Sequence, residues 1–308
     1  MANLFDIDDL SPESFDRVLD LALSADLEPV LLGKGVALLF EKPSARTRNA
    51  TEMAVHGLGG HPVYIQGTEV GLDSRESAED VARTLGCYHS IICARVFDHS
   101  ILVRMAAALR SSGFAVPIIN LLSNDAHPGQ AIADILTLRD SFGALPGRSL
   151  AYLGDANNMA RSLAKATMAH GMEFRIASPP GYCFSEAEIS ELEEYAHKMG
   201  RGGTIRATND PKEAADGVDA FYTDVWTSMG QEHERDARLA AFAGFTLDDD
   251  LVGRGASDAI VLHCLPAHRG EEITHSLIEG KHSVVWRQAA HRRTAMRGIL
   301  AWSLETAS

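Results

Sequence analysis

Positive charge is scarce in this chain. Its 308 residues carry 28 Lys and Arg against 42 Asp and Glu, a formal net charge of -14. So acidic a surface excludes nucleic acid and anionic membrane as partners, because both need a basic face to neutralise phosphate. A phosphate-bearing ligand would need a local basic pocket. Aromatic residues are also few, at 6%, and 26 glycines accompany them, which disfavours a β-sandwich and suits many short strand-to-helix turns. Long apolar runs are missing: Val36 to Phe40 and Ala259 to Leu262 each have the length of one buried strand, far short of a membrane span. The four cysteines, Cys87, Cys93, Cys183 and Cys264, show neither paired nor metal-type spacing, and no secretory n-region precedes the first domain. A reducing, cytoplasmic setting is expected.

What is present is a regular alternation. The length points to two domains, and 45% hydrophobic residues supply their cores. Short apolar runs alternate with longer amphipathic stretches, the pattern of parallel strands joined by crossover helices. Strands are predicted at 36–40, 63–65, 91–94 and 116–120, with helices over 47–58 and 78–85. Met53, Ala54 and Leu58 mark one side of the helix over 47–58, and Gly57, Gly59 and Gly60 end it. A helix over 131–142, with Ile132, Ile135, Leu136 and Phe142 on one stripe, reads as the bridge to a second set of strands at 149–153, 173–177, 220–222 and 260–262. A last helix over 292–304 uses Met296, Ile299, Leu300 and Leu304 as apolar positions. There is no internal repeat. The expected class is therefore α/β, in two domains, each a mostly parallel sheet flanked by helices and joined by bridging helices.

Several strand-to-helix junctions carry chemistry. Glu41-Lys42-Pro43-Ser44-Ala45-Arg46-Thr47-Arg48 lies where free backbone N–H groups and the helix dipole favour an anion, with hydroxyls and guanidiniums to add charge-assisted bonds. The alternative is an ordinary capped helix with surface arginines. His127-Pro128-Gly129-Gln130 leaves a strand's carboxyl end, where His and Gln can donate to a carbonyl oxygen; a lone loop histidine is more often a turn residue. Asp224-Val225-Trp226-Thr227-Ser228-Met229-Gly230 and His263-Cys264-Leu265-Pro266-Ala267-His268 each follow an apolar strand. An acid opposite a thiol can hold and orient an amine, although a buried inert cysteine is the commoner fate of that residue. His263 and His268 resemble metal ligands, but no further partner completes a set in sequence, so no metal is expected. Gly154-Asp155-Ala156-Asn157-Asn158 lacks the glycines of a dinucleotide turn, and no Walker-type loop exists, so no nucleotide cofactor is implied. Asn157 and Asn158 can instead grip an amino acid.

Together these segments, with Ala94-Arg95 and Arg292 in the same order, resemble the aspartate and ornithine carbamoyltransferases over nearly the whole chain, and specifically the ornithine branch. The resemblance implies a carbamoyl-phosphate-binding domain over 1–137, onto which the terminal helix over 290–308 packs back, and an ornithine-binding domain over 138–289. It implies that Ser44, Ala45, Arg46, Thr47, Arg95, His127, Gln130 and Arg292 surround carbamoyl phosphate, with Cys264 and Leu265 at its carbamoyl end. It assigns Asn158, Asp224, Ser228 and Met229 to ornithine, and the chemistry to His127, Asp224, Cys264 and Arg46. No cofactor is implied. The expected assembly is a homotrimer or a higher assembly of trimers, whose neighbouring subunits complete each site.

The reaction so implied is direct attack of ornithine's side-chain amine on the carbamoyl carbon, with no covalent enzyme intermediate, in the cytoplasmic metabolism of arginine. That amine, with a solution pKa of roughly 10.4 by analogy with lysine, must lose a proton first. Cys264 is expected to orient it and help with the proton, Asp224 to pair with the α-ammonium, and phosphate to leave. The sequence departs from the family at three places. Ala45 stands where threonine is usual, removing one hydroxyl from the phosphate grip; Arg48 or Arg75 is the nearby substitute. Glu69 lies in the loop where a glutamine is common, and Ala290 and His291 replace glutamate and asparagine before Arg292. Competing readings are transfer to another amine such as putrescine, disfavoured by Asn158 and Asp224, and a non-catalytic ligand-binding homologue, disfavoured by Arg46, His127, Asp224, Cys264 and Arg292.

Overall fold

The chain begins with α1 (Pro12–Leu23), whose register is set by Ser11 as N-cap and Pro12 in the first turn. The computed structural model describes residues 2–227 and 232–305, the side chain of Glu232 excepted. After α1 come β1 (Gly35–Phe40), α2 (Ala45–Gly57), β2 (His61–Gln66), α3 (Gly67–Val70), α4 (Ala78–Gly86), β3 (Ile91–Arg95), α5 (Ser100–Ser111), β4 (Ile118–Leu122) and α6 (Pro128–Phe142). Then follow β5 (Ser149–Leu153), α7 (Asn158–Met168), β6 (Glu173–Ala177), α8 (Glu186–Met199), β7 (Thr204–Thr208), α9 (Pro211–Ala215) and β8 (Ala220–Thr223). The chain continues through α10 (Arg235–Ala241), α11 (Asp249–Val252), β9 (Ile260–His263), α12 (His275–Ile278) and α13 (Val285–Glu305).

The elements form two compact units, Met1–Ala133 with Ala290–Ser308, and Asp134–Ala289, so the boundaries fall inside α6 and α13. The first unit holds a four-stranded sheet in the order β2-β1-β3-β4 and the second a five-stranded sheet in the order β7-β6-β5-β8-β9. All of their pairings are parallel. Parallel strands covered on both faces need continuous apolar sequence, which is why β1, β3 and β5 were legible as uninterrupted runs.

In the first unit Ala37, Leu39, Ile92 and Ala94 of the sheet pack with Val81 and Ala82 of α4 and Ile101, Leu102 and Met105 of α5. Each large aliphatic side chain so buried contributes about 1.5–3 kcal/mol. The terminal helix meets α1 closely: a Cβ on Gly298 would lie 2.4 Å from the Val18 carbonyl oxygen, so only glycine fits there. In the second unit Ala151, Leu153, Phe221 and Val261 are joined by Trp226, Phe242, Phe245 and Ile273.

Several boundaries differ from the sequence expectation for identifiable reasons. Pro117 has no N–H to give a ladder, and its carbonyl accepts from Ile92 N at 3.0 Å, so β4 runs over 118–122 and not 116–120. Met53 is 49% exposed; the buried positions of α2 are Thr47, Thr51, Ala54 and Val55, the 3.6-residue stripe from which Met53 is rotated away. The terminal helix starts at Val285, seven residues before the expected Arg292. Strand β7, TIRAT, escaped notice because it is an edge strand with exposed positions and little apolar content.

Candidate active site

In each sheet the strand order reverses direction at one place, between β1 and β3 in the first and between β5 and β8 in the second. Loops leaving adjacent strands diverge there and leave a crevice at the carboxyl ends. Ser44 and Arg95 lie at the first of these points and Asn158 and Asp224 at the second, while His127 follows β4 and Cys264 follows β9, each one strand away.

In the first unit, Ser44 caps α2, its hydroxyl accepting from Thr47 N at 3.3 Å and donating to Thr47 Oγ1 at 3.2 Å. Arg95 closes β3 in register with Phe40, the last residue of β1, and its guanidinium donates to Thr47 Oγ1 at 3.3 Å. Arg292 of α13 donates to the same oxygen at 3.1 Å and also to Gln130 Oε1. Three donors thus converge on a hydroxyl that has two lone pairs. Arg46, in the first turn of α2, is exposed. Burial, followed by the like charges of Arg292 and Arg46, lowers the Arg95 guanidinium to about 10. His127 is held by a turn in which Ala126 N donates to Ser123 Oγ at 3.3 Å and Ser123 N to the Ala126 carbonyl at 3.0 Å. Burial first, then Arg292 and Arg95, push its imidazole well below the ordinary histidine value, so it is neutral at pH 7 and can donate one hydrogen bond.

Of the departures from family sequence, Glu69 has a local explanation, and nothing in the structure explains Ala45, Ala290 or His291. Arg48 is engaged by Glu52 at 2.8 Å and lies over the Tyr64 ring at 3.7 Å, so it does not replace the hydroxyl missing at Ala45. Arg75 donates to the Glu69 carbonyl at 3.2 Å. The Glu69 carboxylate takes the Gln66 N–H at 3.1 Å as the capping box of α3, which gives it a structural task.

In the second unit, Asp224 follows β8 and Cys264 follows β9, in neighbouring parallel strands. The Cys264 thiol donates to Asp224 Oδ1 at 2.9 Å, and Val225 N donates to the same oxygen at 2.8 Å. Cys264 keeps some surface exposure as a residue, yet packing around its sulfur and then the negative Asp224 raise the thiol well above its usual range. It is therefore an S–H donor and not a thiolate. Leu265 has φ +60°, a conformation that costs a non-glycine residue about 1–3 kcal/mol, and its N–H is aimed at His263 Nδ1 at 2.8 Å. Asn157 is not a gripping side chain: its Oδ1 caps α7 by accepting from Met159 N and Ala160 N at 2.9 and 3.0 Å. Asn158 is partly exposed at the first position of α7. Ser228 and Met229 lie outside the described residues.

The fold brings Asp224 to His263 and Cys264, with ligand-type atoms within 4.8 Å of one another, a grouping that the sequence did not reveal. It does not offer an imidazole lone pair: Nδ1 of His263 accepts from Leu265 N, and Nε2 donates to Glu272 Oε1 at 2.9 Å. In the neighbouring grouping of His268, Glu271 and Glu272, Glu272 is buried and receives His263 and the His268 N–H, the latter at 2.6 Å. Both groupings serve to shape the loop after β9.

Sequence reasoning missed Asp134, Tyr222 and Gln288, all buried. Asp134 lies between Ile132 and Ile135 of the apolar stripe of α6, and a lone acid on such a stripe was the available sign.

A neutral imidazole among guanidiniums at a helix start, and an acid–thiol pair at the switch point of a second parallel sheet, belong to an enzyme that transfers an acyl-type group from an anionic donor. The comparisons agree. Residues 2–140 match the aspartate/ornithine carbamoyltransferase carbamoyl-P binding domain, and residues 146–303 the Asp/Orn binding domain of the same family. An ornithine carbamoyltransferase of Acidothermus cellulolyticus is 45% identical over 97% of this chain and 96% of its own, and one of Methanocaldococcus jannaschii is 39% identical over 98% and 99%. The solved ornithine carbamoyltransferase of Pyrococcus furiosus superposes with a TM-score of 0.90 at 38% identity, covering 97% of this chain and 96% of that one. The chain belongs to the aspartate/ornithine carbamoyltransferase family and is a carbamoyl-transferring enzyme.

Proposed function

We propose that the protein transfers the carbamoyl group of carbamoyl phosphate to the side-chain amine of L-ornithine, giving L-citrulline and phosphate. The observation that carries this reading is the first unit's cluster of Arg46, Arg95 and Arg292, in which burial first and then the two like charges lower Arg95 to about 10. A doubly charged phosphate relieves that repulsion. Ser44, Thr47 and Gln130 complete the grip, with the α2 N-terminus adding its dipole, while Ala45 contributes backbone only. Neutral His127 donates to the carbamoyl oxygen, where negative charge develops during attack, and Arg46 neutralises the departing phosphate.

In the second unit, Asp224 receives the amino acid's α-ammonium and Asn158 its carboxylate, and the resemblance adds Ser228 and Met229 to the residues that take ornithine. Cys264, protonated and tied to Asp224, orients the attacking nitrogen, and the strained Leu265 places its backbone at the carbamoyl end. The amine attacks as the neutral form. The new C–N bond forms, the C–O bond to phosphate breaks, and the leaving phosphate takes the amine's proton, so charge and atoms balance. No covalent enzyme intermediate is needed.

The high identity to several ornithine carbamoyltransferases supports ornithine over aspartate as acceptor. A trimer, or an assembly of trimers, is what the resemblance to the family implies. Four free thiols fit a cytoplasmic setting, and among the described residues no helix is long and apolar enough to cross a membrane. Purified protein should form citrulline from carbamoyl phosphate and ornithine at least about 100-fold faster than it carbamoylates putrescine, lysine or aspartate. Equal rates with putrescine would overturn the acceptor, and no product with any amine would overturn catalysis. Sedimentation should show three chains of 33.2 kDa or a multiple; a monomer would overturn the assembly.

A further inference from the structure

Behind the Cys264–Asp224 pair lies a second set of polar groups, wholly inside the second unit. Asp134 and Tyr222 are both 0% exposed and Gln288 only 1%. Tyr222 donates from its hydroxyl to Asp134 Oδ2 at 3.1 Å, and Gln288 Nε2 donates to Asp134 Oδ1 at 2.7 Å. The other end of the Gln288 amide, Oε1, accepts from His263 N at 2.8 Å. One acid therefore reaches both strands that carry the site. Through Tyr222 it touches β8 two residues before Asp224. Through Gln288 it touches β9 one residue before Cys264.

The placement is costly unless it serves a purpose. A carboxylate in a dry interior must be met by hydrogen bonds, and apolar replacement of such a group is often neutral or stabilising. The phenol and the amide fix its direction. The phenol ring is itself held by stacking on Tyr152, centroids 5.8 Å apart at 23°. We propose that Asp134, with Tyr222 and Gln288, is the positioning network of the acceptor half, fixing the spacing of the β8 and β9 ends and keeping the Cys264 thiol aimed at Asp224. This rests on the carbamoyl-transfer reading above.

After burial, Asp224 at the end of β8 and then Asp134 of α6 raise the thiol, while the Tyr222 hydroxyl of β8 lowers it; His263 of β9 stands in the same group, and Tyr152 of β5 is within electrostatic reach. Removing the negative charge of Asp134 leaves a thiol that ionises more readily, while a mere structural role would leave its ionisation alone.

The test compares the full-length wild type with Asp134→Asn and Tyr222→Phe. Three quantities are measured: citrulline formation, carbamoyl phosphate affinity by calorimetry, and the rate of Cys264 alkylation by iodoacetamide between pH 7 and 10. Mass spectrometry of the peptides separates Cys264 from Cys87, Cys93 and Cys183. The expected result for Asp134→Asn is kcat down about tenfold or more, carbamoyl phosphate affinity within about threefold, and Cys264 alkylated about threefold or more faster at a given pH, since the thiolate is the reacting form. Tyr222→Phe should lower kcat in the same way but slow Cys264 alkylation, since its hydroxyl lowers the thiol while Asp134 raises it, and it serves alone if the Asn variant does not fold.

A fall in kcat with unchanged alkylation would mark a structural residue and overturn the proposal. So would faster alkylation with unchanged kcat, or no change in either. Wild-type protein that forms no citrulline would sink the carbamoyl-transfer reading instead, and the alkylation comparison would still decide whether Asp134 controls the thiol.

Discussion

The Cys264 thiol and the Asp224 carboxylate meet at 2.9 Å although 40 residues separate them in the chain. Parallel pairing of β8 with β9, with Thr223 beside His263, puts the two residues that follow at one edge. Burial first and then Asp224 raise the proton affinity of the sulfur, which leaves an S–H directed at a carboxylate.

Replacing Cys264 by alanine removes the orienting group and leaves the phosphate cradle intact. The expected loss is about 100-fold in kcat with carbamoyl phosphate affinity within about threefold. Steady-state kinetics and calorimetry together check it, and equal losses in both would contradict the role given to the thiol.

Thr47 Oγ1 is the meeting point of Ser44, Arg95 and Arg292. Thr47→Val should weaken phosphate and carbamoyl phosphate binding by about 10- to 100-fold, the equivalent of one hydrogen bond to a charged group at about 1.5–3 kcal/mol. Titration calorimetry with each anion reads this, and unchanged affinity would remove Thr47 from the cradle.

His127 titrates below its ordinary value of 6.5 because it is buried beside Arg292 and Arg95. The unfolded chain therefore binds this proton more readily than the folded one. The corresponding stability is present above pH 6.5 and is lost as the pH falls below it. Between pH 7 and 5.5 the wild type should lose about 2 °C or more of melting temperature beyond the loss shown by His127→Gln. Parallel melting curves for the two proteins would be inconsistent with a buried neutral imidazole.

Arg238 is 6% exposed and binds Asp155 at 2.7 Å, Glu234 at 2.8 Å and the Trp226 carbonyl at 3.0 Å. Burial raises the Asp155 carboxyl, and Arg238 opposes that rise. Arg238→Met leaves the buried acid alone and should cost about 3 kcal/mol of stability, since breaking such a pair is worse than replacing both partners. Denaturant unfolding measures it, and Asp155→Asn in the same background should recover part of the loss.

The class of fold is legible in the residue pattern alone. Uninterrupted apolar strands alternating with amphipathic helices admit little else than parallel sheets, because burial on both faces imposes that pattern. The residue pattern also identified the local devices: Ser44 at a helix start, His127 before a helix, and Asp224 and Cys264 just past strand ends. These are set by neighbours in the chain, and short-range geometry leaves a mark in sequence.

Tertiary structure decided what depends on contacts between distant segments. That Thr47 gathers Arg95 and Arg292, which lie 48 and 245 residues from it, follows from strand order and from the return of α13 to the first unit. That Asn157 caps a helix, that both His263 nitrogens are engaged, and that Asp134 stands behind the thiol are likewise consequences of packing. Protonation belongs with them: the neutral imidazole of His127 and the protonated thiol of Cys264 are products of burial and neighbouring charge, which no residue carries in its own chemistry.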